Sequence, residues 1–293
     1  MKRNIQYKIL LILNMCLVLI PIGFAQEIEF SQVLSVKADF NFPTDICGNE
    51  NGDAFVLDAL NDRVVKIAAS GRSSEIKPQR DTFYKAVGIA WIDSELWIAD
   101  TPRSRLINLA LNGRIKQIIE LGHDIEPVDL TGINGNLVVT DRKKHSITVL
   151  DKQGTEKYHW GKRGDKVGEF INPGFITTGP ENNMIVSDIL NRRVMSYSPS
   201  GRFPQMIVKS GVESGQILRP KGVALDSEKR VWVVDGYTGS LQAFSVSGKF
   251  QALAYSQGKV IRLLTPMGIW IDKKDRIWIV ESNANTVSLW QKK

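Results

Sequence analysis

Cysteine is scarce: of 293 residues only Cys16 and Cys47 carry a thiol, and they fall in different parts of the chain. If a leader is removed, Cys47 stands alone, so no internal disulfide can hold the fold and the core must do so. Histidine is rarer than in most metal enzymes, with only His123, His145 and His159. Zinc needs three or four converging nitrogen or sulfur ligands. These three fall in a linker, a loop and an outer strand, which argues against a shared metal site. No phosphate-binding glycine loop and no nucleophile–base pair can be read. No stretch shows the 3.6-residue period of an amphipathic helix, which excludes helical solenoids. After residue 25 no long apolar run occurs, so no membrane-spanning segment is expected in the mature chain.

The first 25 residues differ from the rest. Lys2, Arg3 and Lys8 precede an apolar run from Ile9 to Ile20, broken only by Asn14. Pro21, Gly23 and Ala25 follow, with small residues at −3 and −1 of a cut after Ala25. This is the layout of a signal peptide, 1–25, and the run is short for a membrane anchor. Cys16 follows Leu-Asn-Met, which is not a lipidation site. An exported protein is therefore expected, periplasmic, at the cell surface or secreted. Losing three basic residues and no acid takes the formal net charge from +7 to +4, too mild to name an anionic partner by itself.

The whole chain is 43% hydrophobic, ample for a large core, and the remainder, 26–293, is a repeat. An acidic residue closes a short apolar run at Asp58, Asp100, Asp141, Asp188, Asp235 and Glu281. Six residues later comes Val64, Leu106, Ile147, Val194, Leu241 or Val287, and seven after the first five of those comes Gly71, Gly113, Gly154, Gly201 or Gly248. The runs before the acids (AFVL, LWIA, LVVT, MIVS, VWVV, IWIV) are unbroken rather than alternating, so both faces of each strand should be covered. A polar turn precedes each run, and before that lies another apolar strand, begun by Pro43, Pro127, Pro173, Pro220 or Pro266 in five units. A third and a fourth strand follow each acid.

Four short antiparallel strands per unit of about 40–45 residues is the blade of a β-propeller. The expectation is a single all-β domain, a six-bladed β-propeller with four antiparallel strands per blade. The last unit shows only three strands, and 28–36 has no strand before it. The N-terminal strand is therefore expected to close the last blade, pairing with 287–291. A monomer is expected.

The motifs DALNDRV (58–64), DILNRRV (188–194), RPKGVALD (219–226) and TPMGIWID (265–272) resemble the NHL repeat family, and DTPRSRL (100–106) keeps its Asp and Arg. DRKKHSI and DGYTGSL depart from it at the Asn and Arg positions. The resemblance spans 28–293 and implies a fold rather than an activity, because that scaffold carries binding modules and enzymes alike. A related propeller that cleaves peptidyl-hydroxyglycines holds zinc with histidines at the starts of inner strands. The corresponding positions here are Asp45, Gly88, Asp129, Phe175, Gly222 and Gly268, none of them histidine.

The repeated aspartates read as architecture, since a catalytic site needs one copy; each should hold loop N–H groups or the motif arginine. Trp97, Trp232 and Trp278 share one repeat position with Phe55 and read as wedges between blades, and Trp91 and Trp270 as packing. Two groups of residues stand out. Asp45 and Asp129 replace the motif glycine and should face the mouth of the central channel. The loops after the second strands carry Arg103 and Arg105, then Arg142, Lys143 and Lys144, then Arg192 and Arg193. Links to the next inner strands add Lys162, Arg163, Arg219 and Lys221 on the same face. Arg105 and Arg193 should be tied to Asp100 and Asp188, leaving Arg103, Lys143, Lys144 and Arg192 freer.

The main expectation is an exported binding or scaffolding module. It would hold a protein, peptide or acidic glycan on that basic face, with no cofactor. Nucleic acid is disfavoured, because the loops lack interleaved exposed aromatics for base stacking. The alternative is a lyase- or lactonase-type enzyme with a divalent cation at the channel mouth beside Asp45 and Asp129.

Overall fold

The computed structural model describes residues 26–293, and the leader expected at 1–25 lies outside the described residues. The architecture is all-β. The only helical pieces among the described residues are the single turns Ala59–Asn61, Thr101–Arg103 and Pro180–Asn182. No helix among them is long and apolar enough to cross a membrane.

The strands form separate small sheets in chain order. Pro43–Gly48, Ala54–Asp58, Arg63–Ile67 and Ser73–Ile76 make the first. Gly88–Ile92, Glu95–Asp100, Arg105–Leu109 and Ile115–Glu120 make the second. Pro127–Ile133, Asn136–Asp141, Ser146–Leu150 and Glu156–Trp160 make the third. Pro173–Thr178, Met184–Asp188, Arg193–Tyr197 and Gln205–Ser210 make the fourth, extended by the short parallel strand Gln216–Ile217. The remaining strands join into one nine-stranded sheet. Two runs lie within it: Pro220–Leu225, Val231–Asp235, Leu241–Phe244 and Phe250–Ser256, then Pro266–Ile271, Ile277–Glu281 and Thr286–Lys292.

The strand Gln26–Val36 joins those two runs. Its second part pairs antiparallel with Thr286–Lys292, from Phe30 opposite Lys292 to Val36 opposite Val287. Its first part, Gln26 to Glu29, pairs parallel with Ala252 to Tyr255 of the preceding run. The first pairing matches the sequence expectation. The second was not expected, because a strand that changes partners midway leaves no mark in its hydrophobic pattern.

The first strands of the sheets pack side by side around a central axis. Pro43–Gly48 lies beside Gly88–Ile92, followed by Pro127–Ile133, Pro173–Thr178, Pro220–Leu225 and Pro266–Ile271, which returns to Pro43–Gly48. The second and third strands are enclosed on both faces. Ala54–Asp58, Met184–Asp188 and Arg193–Tyr197 are buried at every position, which is why those runs are unbroken in apolar residues. Trp97, Trp232, Trp278 and Phe55 are all fully buried at the equivalent position, in four different interfaces between sheets. Truncating one such tryptophan to alanine costs about 3–5 kcal/mol.

The repeated acids hold the connecting loops. Asp58 accepts from Asn41 N at 2.7 Å, Asn61 Nδ2 at 2.8 Å and Arg63 Nε at 2.7 Å. Asp188 repeats this with Ile171 N, Asn191 and Arg193. Asp235, whose loop lacks the motif Asn and Arg, accepts three backbone N–H groups instead, from Leu218, Arg219 and Tyr237. A carboxylate at the strand end thus satisfies N–H groups that no ladder reaches.

Candidate functional site

The channel between the inner strands encloses a cavity of about 290 Å³, and Asp45 and Asp129 line it. Each sits just inside an inner strand at the register shift that follows the opening proline, Asp129 within the shift and Asp45 as the first paired residue after it. The Asp45 carboxylate accepts from Ile89 N on the next strand at 2.9 Å, and the nearby Ile46 N–H on its own strand favours its charged form. Asp129 accepts from Leu130 N at 2.7 Å on its own strand and from Ile176 N at 2.9 Å on the next. Gly88, the equivalent residue between them, has no side chain, and that matters: a Cβ there would come within 2.8 Å of Asp129 Oδ1. Across this gap the two carboxyl groups hydrogen-bond to each other.

Two carboxylates this close cannot both ionise cheaply. Burial raises Asp45 well above the usual carboxylate range, and the charge of Asp129 raises it further. Burial also pushes Asp129 up to about 7, opposed by its N–H donors. Burial and mutual repulsion thus favour keeping a proton on the pair over carrying two charges. Cys47, buried nearby, has its thiol pushed up by burial and by the two aspartates, so it is not poised as a nucleophile.

A divalent cation does not fit here. Calcium takes six to eight oxygen ligands. The channel mouth offers two carboxyls whose oxygens already accept three N–H bonds, and no group of three or more His, Cys, Asp or Glu side chains converges among the described residues. The histidines are apart: His145 accepts from Asn172 N, and His159 pairs with Glu156 at 2.6 Å.

The basic loops do emerge on one face, but most of their charges have local partners. Arg105 is buried between Asp100 and Asp81, and Arg193 is tied to Asp188. Arg142 pairs with Glu126 at 2.7 Å, Lys144 with Asp124 at 2.8 Å and Lys162 with Glu169 at 3.4 Å. Lys143 donates to the His123 carbonyl, and Arg103 to the Thr82 carbonyl. The expectation that Arg103, Lys143, Lys144 and Arg192 are the freer members therefore holds only for Arg192. The groups that hold the others, the Thr82 and His123 carbonyls and the Asp124 carboxylate, stand in the preceding links, which the repeat register does not align. Arg163, Arg192, Arg219 and Lys221 have no acidic partner among the described residues. Lys221 is not a free surface charge: its stem lies along Gly236, and burial and then Arg219 lower its pKa. Arg192 and Arg219 flank a cleft of about 340 Å³ with Leu190 and Tyr237, which are 61% and 69% exposed. Nothing in the repeat pattern marks these two apolar residues.

Fold and channel together define a β-propeller. The sequence matches no protein-family model and no curated protein. Solved structures of similar shape are propeller enzymes. A virginiamycin B lyase from Staphylococcus aureus determined with quinupristin is 16% identical, covering 90% of this chain and 99% of that one with a TM-score of 0.66. A gluconolactonase from Xanthomonas campestris is 15% identical, covering 87% of each chain with a TM-score of 0.68. A Bacteroides thetaiotaomicron protein of unknown function is 15% identical over 92% of this chain and 73% of that one, with a TM-score of 0.70. At these identities the likeness is one of fold.

Proposed function

We propose that the chain is an exported, six-bladed propeller of NHL type that performs acid–base chemistry in its central channel, opening a lactone or ester. The count of six takes the nine-stranded sheet as two four-stranded blades plus the short strand Lys259–Val260 on the edge of Phe250–Ser256, with Gln26–Val36 as the outer strand of the last blade. The observation that carries the activity is the pair Asp45–Asp129, two buried carboxyls of raised pKa on the wall of one ligand-sized cavity. Such a pair can take a proton with one member while giving one with the other. Asp129 would accept a proton from water attacking the acyl carbon. As the C–O bond breaks, the Asp45 proton passes to the leaving oxygen. The products are an acid and an alcohol, joined in one molecule when the substrate is a lactone. A proton then crosses from Asp129 to Asp45 and restores the pair. The similar folds named a lyase and a gluconolactonase favour this reading over a scaffold.

The test is release of acid from glucono-δ-lactone and simple esters. Asp129→Asn should lower the catalysed rate by about 10²-fold or more, the range for a lost general base. Equal rates for both proteins would overturn the proposal. The cleft at Arg192 and Arg219 supports a second reading, in which the loop face holds a protein, peptide or acidic glycan.

A further inference from the structure

The channel repeats one device with a period of two inner strands. At position 45, a carboxylate holds the N–H one strand on, Ile89, and lies beside the N–H of the next residue, Ile46. At position 129, a carboxylate holds the next N–H, Leu130, and the N–H one strand on, Ile176. Two strands further round, the same position is Gly222. The pair it would hold is Val223 N and Ile269 N. The register is the same: Leu130, Ile176, Val223 and Ile269 are each the first ladder residue after the shift that follows the strand-opening proline. A Cβ built on Gly222 would lie 2.8 Å from Ile269 N, so that nitrogen stands beside the place where positions 45 and 129 carry their side chains, with the Met267 carbonyl at 2.6 Å on its other side. No side chain among the described residues accepts from Val223 N or Ile269 N.

We propose that the N–H pair of Val223 and Ile269 is a binding site for a carboxylate of a small ligand, held as the chain holds its own Asp45 and Asp129. A carboxylate presents two oxygens at the spacing that two N–H groups one strand apart require, and Asp129 displays that fit with 2.7 and 2.9 Å bonds. Gly222 and Ile269 line the same cavity as the aspartates, so a bound carboxylate would place the rest of its molecule beside the Asp45–Asp129 pair. Positive charge stands close in sequence, since Arg219 and Lys221 immediately precede the site and neither has an acidic partner among the described residues. The site is independent of turnover, because a carboxylate would be held there whether or not the channel is catalytic.

The experiment is amide NMR on the ¹⁵N-labelled chain from residue 26, titrated with sodium acetate against sodium chloride at matched ionic strength. The Val223 and Ile269 amide protons should move downfield and saturate with acetate and not with chloride. Those of Ile89 and Ile176, already bonded to carboxylates, should stay in place. Gly222→Asp should fill the site from within and abolish the acetate response. Its Cβ would press on the Met267 carbonyl at 2.6 Å, so the wild-type titration decides if that variant does not fold. Absence of a saturable shift at Val223 and Ile269, or an equal shift in chloride, would overturn the site. Acetate binding without lactone opening would leave the site standing and sink the catalytic reading. Lactone opening without the acetate response would do the reverse.

Discussion

At the scale of the residue, Asp45 is the side chain whose protonation the fold pays for. Its pKa is raised in the folded chain by burial and by Asp129, and in the unfolded chain it returns to about 3.9. The folded state then binds more protons than the unfolded one above that value, so stability falls as pH rises. The loss begins near pH 4 and continues through the upper pKa of the pair, with Asp129 at about 7. Asp45→Asn places a permanent N–H donor toward Asp129 where the protonated acid has an O–H. The expected result is a flatter dependence of the unfolding midpoint on pH between 5 and 8. Each kcal/mol of difference corresponds to about 2–4 °C for a chain of this size. Thermal melts across that range measure it, and an unchanged slope would mean that the pair holds no extra proton.

At the scale of the element, the strand Gln26–Val36 has two partners, and each would otherwise present an open edge. Phe30 and Ile28 are buried in the core shared with Trp232 and Ala254, so removal also opens apolar surface. Deleting residues 26–36 should give a chain that associates in light scattering and melts well below the full mature form. A monomeric deletion with the same midpoint would show that the edges are protected by other means. The repeat also explains which loops are rigid. Where the motif Asn and Arg are present, as at Asn191 and Arg193, the loop is tied to Asp188 and to the preceding link through the Gly164, Asp165, Lys166 and Glu169 carbonyls.

At the scale of the whole molecule, the face bearing the second-to-third-strand loops is where charge can meet a partner. Exposed ion pairs such as Arg142–Glu126 and Lys144–Asp124 contribute about 0–1 kcal/mol, and together they present little net field. Arg192 and Arg219 lack such acids and stand beside exposed apolar surface. Replacing both by Gln should shorten retention on an immobilised acidic polysaccharide at low salt, with no change in the melting midpoint. Replacing Arg142 together with Glu126, and Lys144 together with Asp124, should leave retention unchanged, because each pair is already neutral. Equal retention by the wild type and the Arg192/Arg219 variant would remove the loop face as a partner site.

Much of this was legible before any coordinates. A period of 41–47 residues in Asp58 through Glu281, with unbroken apolar runs before each, requires strands covered on both faces, and stacked blades are the economical way to cover them. Asp45 and Asp129 stood out because each breaks the glycine of its own repeat. A repeat aligns equivalent positions along the chain, and so it fixes which residues face the axis. It says nothing about how far apart two blades stand at that depth. That Asp45 reaches Asp129 over Gly88 depends on a gap one side chain wide, and that Lys144 meets Asp124 depends on links whose lengths differ between units. The same holds for Gly222, an ordinary motif residue in sequence. Only the tertiary structure sets it in line with the two aspartates and brings the Ile269 nitrogen beside it, because contacts between neighbouring blades are made across space by strands the chain keeps more than forty residues apart.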